Sequence, residues 1–71
     1  MNETAQIKWW RVNRNGETKE GGVAEVTFPV NSITLTLWFI KKFDAIPEVS
    51  SGGMYYAEHK DGEATYAHVV S

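Results

Sequence analysis

Two turn dipeptides, Asn15-Gly16 and Asp61-Gly62, constrain the fold of this chain more than any other feature. A type I′ β-turn needs positive φ at both central residues, and Asn-Gly and Asp-Gly are the pairs that adopt it most readily. Each dipeptide separates two segments with strand-like composition, at 5–14 and 17–28 and at 53–60 and 63–70. The sequence therefore predicts two β-hairpins, each closed by a two-residue loop.

The register of the first hairpin follows by counting outward from its loop. The predicted cross-strand pairs are Trp10 with Gly21, Trp9 with Gly22, Ile7 with Ala24, Ala5 with Val26, Arg11 with Glu20 and Arg14 with Glu17. Adjacent strand residues point to opposite faces of a sheet, so the two tryptophans separate. We expect Trp9 to lie in the core beside Ile7, and Trp10 to lie on the other face beside Lys8.

The same counting predicts the faces of the second hairpin. Met54 is expected opposite Val69, and Tyr56 opposite Ala67, on the side that faces the core. The other side is expected to gather Tyr55, His59, Tyr66 and His68.

The segment between the hairpins, residues 29–52, fits two structures. Its central part alternates as a strand would, yet its apolar residues also cluster in one arc of a helix over residues 32–44. The apolar arc contains Ile33, Leu35, Leu37, Phe39, Ile40 and Phe43. On that helix Thr34, Trp38, Lys41 and Lys42 fall outside the apolar arc. A sheet with one apolar face needs a cover, which favours the helix. We therefore predict one α+β domain over residues 1–71, a ββαββ fold in which a helix covers a four-stranded sheet. The alternative is an all-β, five-stranded small barrel.

The ββαββ order resembles that of the small immunoglobulin-binding bacterial domains. The resemblance covers the order of elements and no sequence motif, so it implies nothing about function. It does imply that the first and last strands pair in parallel at the centre of the sheet.

Composition excludes several classes of function. The chain has no cysteine, so a disulfide framework and a thiolate metal site are both excluded. Nine acidic and seven basic residues give a net charge of −2, which is unlike a dedicated duplex-DNA binder. No metal-ligand cluster, nucleophile motif or glycine-rich phosphate loop is present, so we expect no enzymatic activity, no metal and no cofactor. With neither a leader pattern nor a long apolar run, we expect a cytoplasmic protein that does not enter a membrane.

Exposed aromatic residues point to binding instead. Tryptophan and tyrosine are enriched at the energetic centres of protein interfaces. The candidate partner-binding residues are Trp10, Tyr55, Tyr66, Lys8 and Trp38. We expect a protein-interaction module that binds a protein partner or forms a homodimer, of the kind that phages and mobile elements direct at host proteins. The alternative is a sheet module for single-stranded nucleic acid, which would use Trp10 and the Lys and Arg residues that flank it.

Overall fold

The computed structural model describes residues 4–70. Its elements are β1 (Ala5–Val12), β2 (Thr18–Val26), α1 (Ser32–Phe43), β3 (Glu48–Val49), β4 (Tyr55–Glu58) and β5 (Ala64–Val69). The strands form one antiparallel sheet in the order β2-β1-β5-β4-β3. Helix α1 packs on one side of the sheet, called here the inner face, and the opposite side is the outer face. The predicted mixed α+β class is confirmed.

Two details of the predicted topology are wrong. A fifth strand, β3, pairs with β4 at one edge of the sheet. In addition, β5 runs antiparallel to β1, whereas the resemblance implied a parallel pair. The two differences have one cause, because β3 carries the chain along the sheet once more and reverses the direction of the last strand. The sheet stays open under its helix, so the barrel alternative is also wrong.

The middle segment forms the predicted helix because its N-terminus carries a strong cap. The side chain of Asn31 accepts hydrogen bonds from the backbone N–H groups of Ile33 and Thr34, and the Thr34 hydroxyl accepts one from the Asn31 N–H. This reciprocal capping box satisfies N–H groups that a helix start leaves free. The helix ends at Asp44, whose left-handed backbone (φ 54°) closes the last turn.

The helix is rotated relative to the predicted apolar arc. Leu35 and Phe39 are buried in the core, and Trp38 packs against it although it was predicted to lie outside the arc. Ile33 and Leu37 were predicted to face inward but are 71% and 54% exposed. Large aromatic rings bury more apolar area than a leucine, which favours the rotation that brings Trp38 onto the sheet.

The loop of the first hairpin differs from the prediction, although the register from Ala5 to Arg11 is as predicted. The predicted pair of Arg14 with Glu17 is wrong, because Arg14 lies in the loop and Asn13 pairs with Glu17. The N–H of Gly16 bonds to the carbonyl of Asn13, which leaves a three-residue loop at 14–16 with Gly16 at φ 83°. Trp10 still lies opposite Gly21, and Trp9 opposite Gly22. A bulge restores this register, because Val12 pairs with Thr18 while Arg11 pairs with Glu20.

The second hairpin has the same kind of loop and no compensating bulge. Gly62, at φ 88°, closes a three-residue loop over 60–62 by bonding to the carbonyl of His59. The strand register is therefore shifted by one residue, with Tyr55 opposite Ala67 and Tyr56 opposite Tyr66. A shift of one residue exchanges the two faces of a strand.

This shift corrects three of the predicted positions. Tyr55 was predicted on the outer face, but it belongs to the buried core with 7% exposure. Tyr56, predicted to face the core, lies on the outer face instead. His59 was predicted on the outer face, as was His68, but its imidazole is within hydrogen-bonding distance (2.7 Å) of the hydroxyl of Thr65, the buried residue on the inner side of β5.

Candidate binding surface on the outer sheet face

A row of stacked aromatic side chains crosses the middle of the outer face. Consecutive cross-strand partners run from Gly21 on β2 through Trp10, Tyr66 and Tyr56 to Glu48 on β3. The ring centroids of Trp10 and Tyr66 are 5.6 Å apart with planes at 16°, and those of Tyr66 and Tyr56 are 6.0 Å apart at 24°. We call Trp10, Tyr66 and Tyr56 the aromatic row. No helix of residues 4–70 covers it, since α1 lies on the inner face.

At the β3 end of the aromatic row, Tyr56 contacts the carboxylate of Glu48. The Tyr56 hydroxyl donates a 2.6 Å hydrogen bond to the carboxylate of Glu48. This bond, together with the negative charge of Glu48, raises the pKa of Tyr56 above its usual value, because ionisation would place two anions in contact. The β3 edge of the outer face is therefore polar and acidic.

The other end is open, because the cross-strand partner of Trp10 on β2 is Gly21, and the next residue, opposite Trp9, is also a glycine. A Cβ atom on Gly21 would lie 3.0 Å from the Trp9 carbonyl oxygen, and one on Gly22 would lie 3.3 Å from the Trp9 indole. The tryptophans therefore approach β2 as closely as glycine allows. An open cavity of about 470 Å³ lies here, which we call the glycine notch, and its lining includes Lys8, Trp10, Val23 and His68.

Polar tips surround the aromatic row next to the notch. Lys8 lies between Val23 and His68 in the next cross-strand row. The edge of the His68 ring contacts Trp10, with the centroids 5.8 Å apart at 79°. The surface thus combines an apolar floor with an amine, an imidazole and phenolic hydroxyl groups at its rim, as many protein-binding surfaces do.

The structure brings three of the five predicted site residues together. Trp10, Tyr66 and Lys8 lie on neighbouring positions of the outer face. Tyr55 is excluded from this surface because it is buried in the core. Its place is taken by Tyr56, which was predicted to face the core and not to belong to the site. Because Tyr55 and Tyr56 are adjacent in a strand, one ring must lie on each face. Which of the two lies on the outer face depends on the length of the hairpin loop.

Trp38 lies on a separate surface, on the helix side of the domain. Its ring packs edge-on against Phe43, with centroids 5.7 Å apart. It also lines a shallow groove of about 470 Å³ together with Phe28, Leu37, Lys41 and Lys42. The prediction that Trp38 lies on the polar side of the helix is therefore wrong, and it cannot share a contact surface with Trp10 unless a partner wraps around the domain.

The cations of the first hairpin mostly point away from the aromatic row. The guanidinium of Arg11 donates to Glu63 at 2.6 Å and to Asp61 at 3.0 Å, and the amine of Lys19 donates to Glu63 at 3.1 Å. These four residues form what we call the hairpin-end ion cluster. Arg14 donates to the backbone carbonyl of Asp61 at 2.7 Å. The predicted Arg11–Glu20 register is confirmed, but the charge partners of Arg11 come from the other hairpin.

The hairpin-end ion cluster makes stability depend on pH. Hydrogen bonds from Arg11 and then Lys19 lower the pKa of Glu63 below its ordinary 4.5. A carboxylate with a lowered pKa in the folded state contributes stability above the ordinary value, and this contribution is lost as the pH falls through the lowered one. Acid should therefore loosen the contact between the two hairpin ends.

We expect Glu63→Gln to flatten this pH dependence. Urea midpoints of the parent should fall between about pH 5 and pH 3, whereas those of Glu63→Gln should fall less. Glu17→Gln, at an exposed position directly after the first hairpin loop, is the matched control and should follow the parent. Parallel curves for the parent and Glu63→Gln would contradict the assigned role of the cluster.

Among residues 4–70 no group of three or more His, Asp or Glu side chains could hold a metal ion. No helix over that range is long and apolar enough to cross a membrane. No protein-family model, curated protein or solved structure matches this chain.

Proposed function

We propose that this chain is a non-enzymatic protein-interaction module that binds its partner through the aromatic row on the outer sheet face. The observation that carries the proposal is the mutual stacking of Trp10, Tyr66 and Tyr56 on the face opposite the helix. Stacked neighbours hold one another in place, so less conformational entropy is lost when a partner binds. The expected setting is cytoplasmic, with a host protein as the kind of partner that a phage or mobile-element product would bind.

The ring geometry favours protein over nucleic acid. A sheet module for single strands offers the faces of its aromatic rings to the bases. Here the faces are turned toward neighbouring rings, so Tyr66 lies between two partners and offers mainly its edge and hydroxyl. Ring edges and hydroxyl groups suit the mixed apolar and polar surface of a protein.

The distribution of charge also favours a protein partner over a nucleic acid. Binding to a nucleic-acid backbone requires several cations that neutralise phosphates. Arg11, Arg14 and Lys19 are engaged at the hairpin ends, and Lys8 alone of the predicted cations accompanies the aromatic row. With a net charge of −2, the chain lacks the general attraction for phosphate that would compensate.

We expect Trp10→Ala and Tyr66→Ala each to weaken partner binding by about 30-fold, because truncating an aromatic anchor typically costs about 2 kcal/mol. The partner is first isolated by affinity capture with the parent, and its affinity for each variant is then measured by calorimetry. Leu37→Ala, an exposed apolar residue on the helix, is the matched control and should bind like the parent. Folding of every variant is checked by circular dichroism.

Two outcomes would contradict the proposal. If both aromatic variants are folded and bind like the parent, the outer face is not the contact surface. If the parent instead binds single-stranded oligonucleotides with a steep salt dependence that Trp10→Ala abolishes, the nucleic-acid alternative replaces it.

A further inference from the structure

The two edges of the sheet differ in how open they are to another strand. The β3 edge offers only Glu48–Val49, directly after Pro47. The β2 edge is nine residues long and pairs with β1 without interruption from Glu20 to Val26. It contains no proline, and its Val23 side chain is 60% exposed. A long, regular edge strand is a template for pairing with another chain unless it is blocked.

The hydrogen-bond pattern identifies which backbone groups of β2 are free. The carbonyl of Gln6 accepts a hydrogen bond from the N–H of Val70, so Gln6 directs its backbone groups toward the β5 side. In an antiparallel sheet this direction alternates along the strand. The residues of β2 opposite Gln6, Lys8 and Trp10 therefore direct their N–H and C=O groups away from β1. These residues are Glu25, Val23 and Gly21.

We propose that a second copy of this chain pairs with the β2 edge. The two β2 strands run antiparallel about a two-fold axis at Gly22, so that Gly22 faces Gly22 and Gly21 faces Val23 of the second copy. Gly21 and Val23 then exchange backbone hydrogen bonds across the interface, and two five-stranded sheets become one. This edge meets the aromatic row only at Trp10. The variants that test it lie outside the row, so its failure can be told apart from failure of the proposed function.

Side-chain complementarity selects this register. It places the exposed Val23 of each copy across from Gly21 of the other, where its methyl groups enter the glycine notch beside Trp10. At the axis, glycine on both strands leaves space for the Trp9 indole that already overlies Gly22. An apolar side chain beside a tryptophan over a strand glycine is a favourable cross-strand contact.

Charge disfavours the neighbouring registers. With the axis at Gly22, Glu25 of the second copy comes near the bulge at Lys19, so opposite charges meet at each end of the interface although the Lys19 amine also bonds Glu63. An axis at Gly21 would instead place Val23 across from Lys19, so its apolar side chain would lie beside a charged residue and outside the glycine notch. An axis at Val23 would place the carboxylate of Glu25 across from Gly21, in the apolar notch.

Because the chain has no cysteine, engineered cysteines can report the register cleanly. Glu20 and Ala24 face each other across the proposed interface as a non-hydrogen-bonded pair, with Cα atoms roughly 4.5 Å apart, within the range a disulfide bridges. A mixture of Glu20→Cys and Ala24→Cys should form a disulfide-linked heterodimer as its main product under mild oxidation. Either variant alone should remain largely unlinked. Equal linkage in the separate variants would overturn the proposed register.

Light scattering tests the association directly. The parent should reach twice the 8.0 kDa mass of one chain as its concentration rises. Val23→Pro should lose the dimer and keep its fold, because the N–H that proline removes points to the free edge. Val23→Thr, which keeps that N–H and a branched side chain, is the matched control and should still dimerise. A parent that stays monomeric at millimolar concentration, or a folded Val23→Pro that still dimerises, would overturn the proposal.

Discussion

Replacing Phe39 with alanine is expected to lower the free energy of unfolding by about 3–5 kcal/mol. Phe39 is fully buried, and it contacts Phe43 edge-on at a centroid distance of 4.7 Å. A domain of this length has a total stability of roughly 4–11 kcal/mol, so the loss is a large part of the whole. Urea unfolding followed by tryptophan fluorescence measures it, and we expect a substantial unfolded population at room temperature.

Leu37→Ala is the matched control on the same helix. Its side chain is 54% exposed, so its truncation should change stability by about 0.5 kcal/mol or less. The pair of variants tests the rotation of α1, since the predicted apolar arc contained both residues. A loss at Leu37 as large as the loss at Phe39 would show that the helix is turned differently.

Replacing Trp9 with alanine should be the second most damaging change, at about 3 kcal/mol. Trp9 is only partly buried, but it packs edge-on against Phe43 at 5.3 Å and overlies Gly22. The Lys42 ammonium lies 5.2 Å from its ring centroid and adds a cation–π contact. Its loss removes the contact between the end of the helix and the β1–β2 hairpin.

Trp10→Ala is the natural comparison, because the two tryptophans are adjacent in sequence and lie on opposite faces. Trp9 was predicted to be buried and Trp10 to be exposed, but both rings are partly buried. The contacts of Trp10 are a stack on Tyr66 and an edge contact with His68, each worth about 0.5–1.5 kcal/mol beyond area burial. In chemical denaturation, Trp9→Ala should have a clearly lower free energy of unfolding than Trp10→Ala. Equal losses would contradict the division of roles between the two faces.

Much of the first hairpin and of the helix could be predicted from sequence because local interactions specify them. Asn15-Gly16 predicted the position of the turn, and the glycines opposite Trp9 and Trp10 were predicted correctly. The helix could be predicted because Asn31 offers a cap and the residues after it offer an apolar face. These signals lie within a few residues of the structure that they specify.

The second hairpin shows where local signals stop. Both loops hold three residues, because positive φ is taken by Gly16 and Gly62 and not by the preceding Asn15 and Asp61. The error had no effect on the β1–β2 register, since a bulge absorbed it, but it exchanged Tyr55 and Tyr56 in β4. A turn dipeptide is compatible with a loop of two or three residues. The loop length is therefore decided by how the whole strand packs against the helix.

The sequence alone was enough to specify the class of the fold, the position of both turns, the helix and the placement of Trp10 and Tyr66 on one face. The choice of Tyr56 over Tyr55, the rotation of α1, the added strand β3 and the charge partners of Arg11 depended on contacts between distant segments. Arg11 shows the reason most clearly, because its carboxylate partners Asp61 and Glu63 lie fifty or more positions away along the chain. Turn and cap preferences act over a few residues, whereas burial and ion pairing are energies of the assembled sheet and appear only when the strands are side by side.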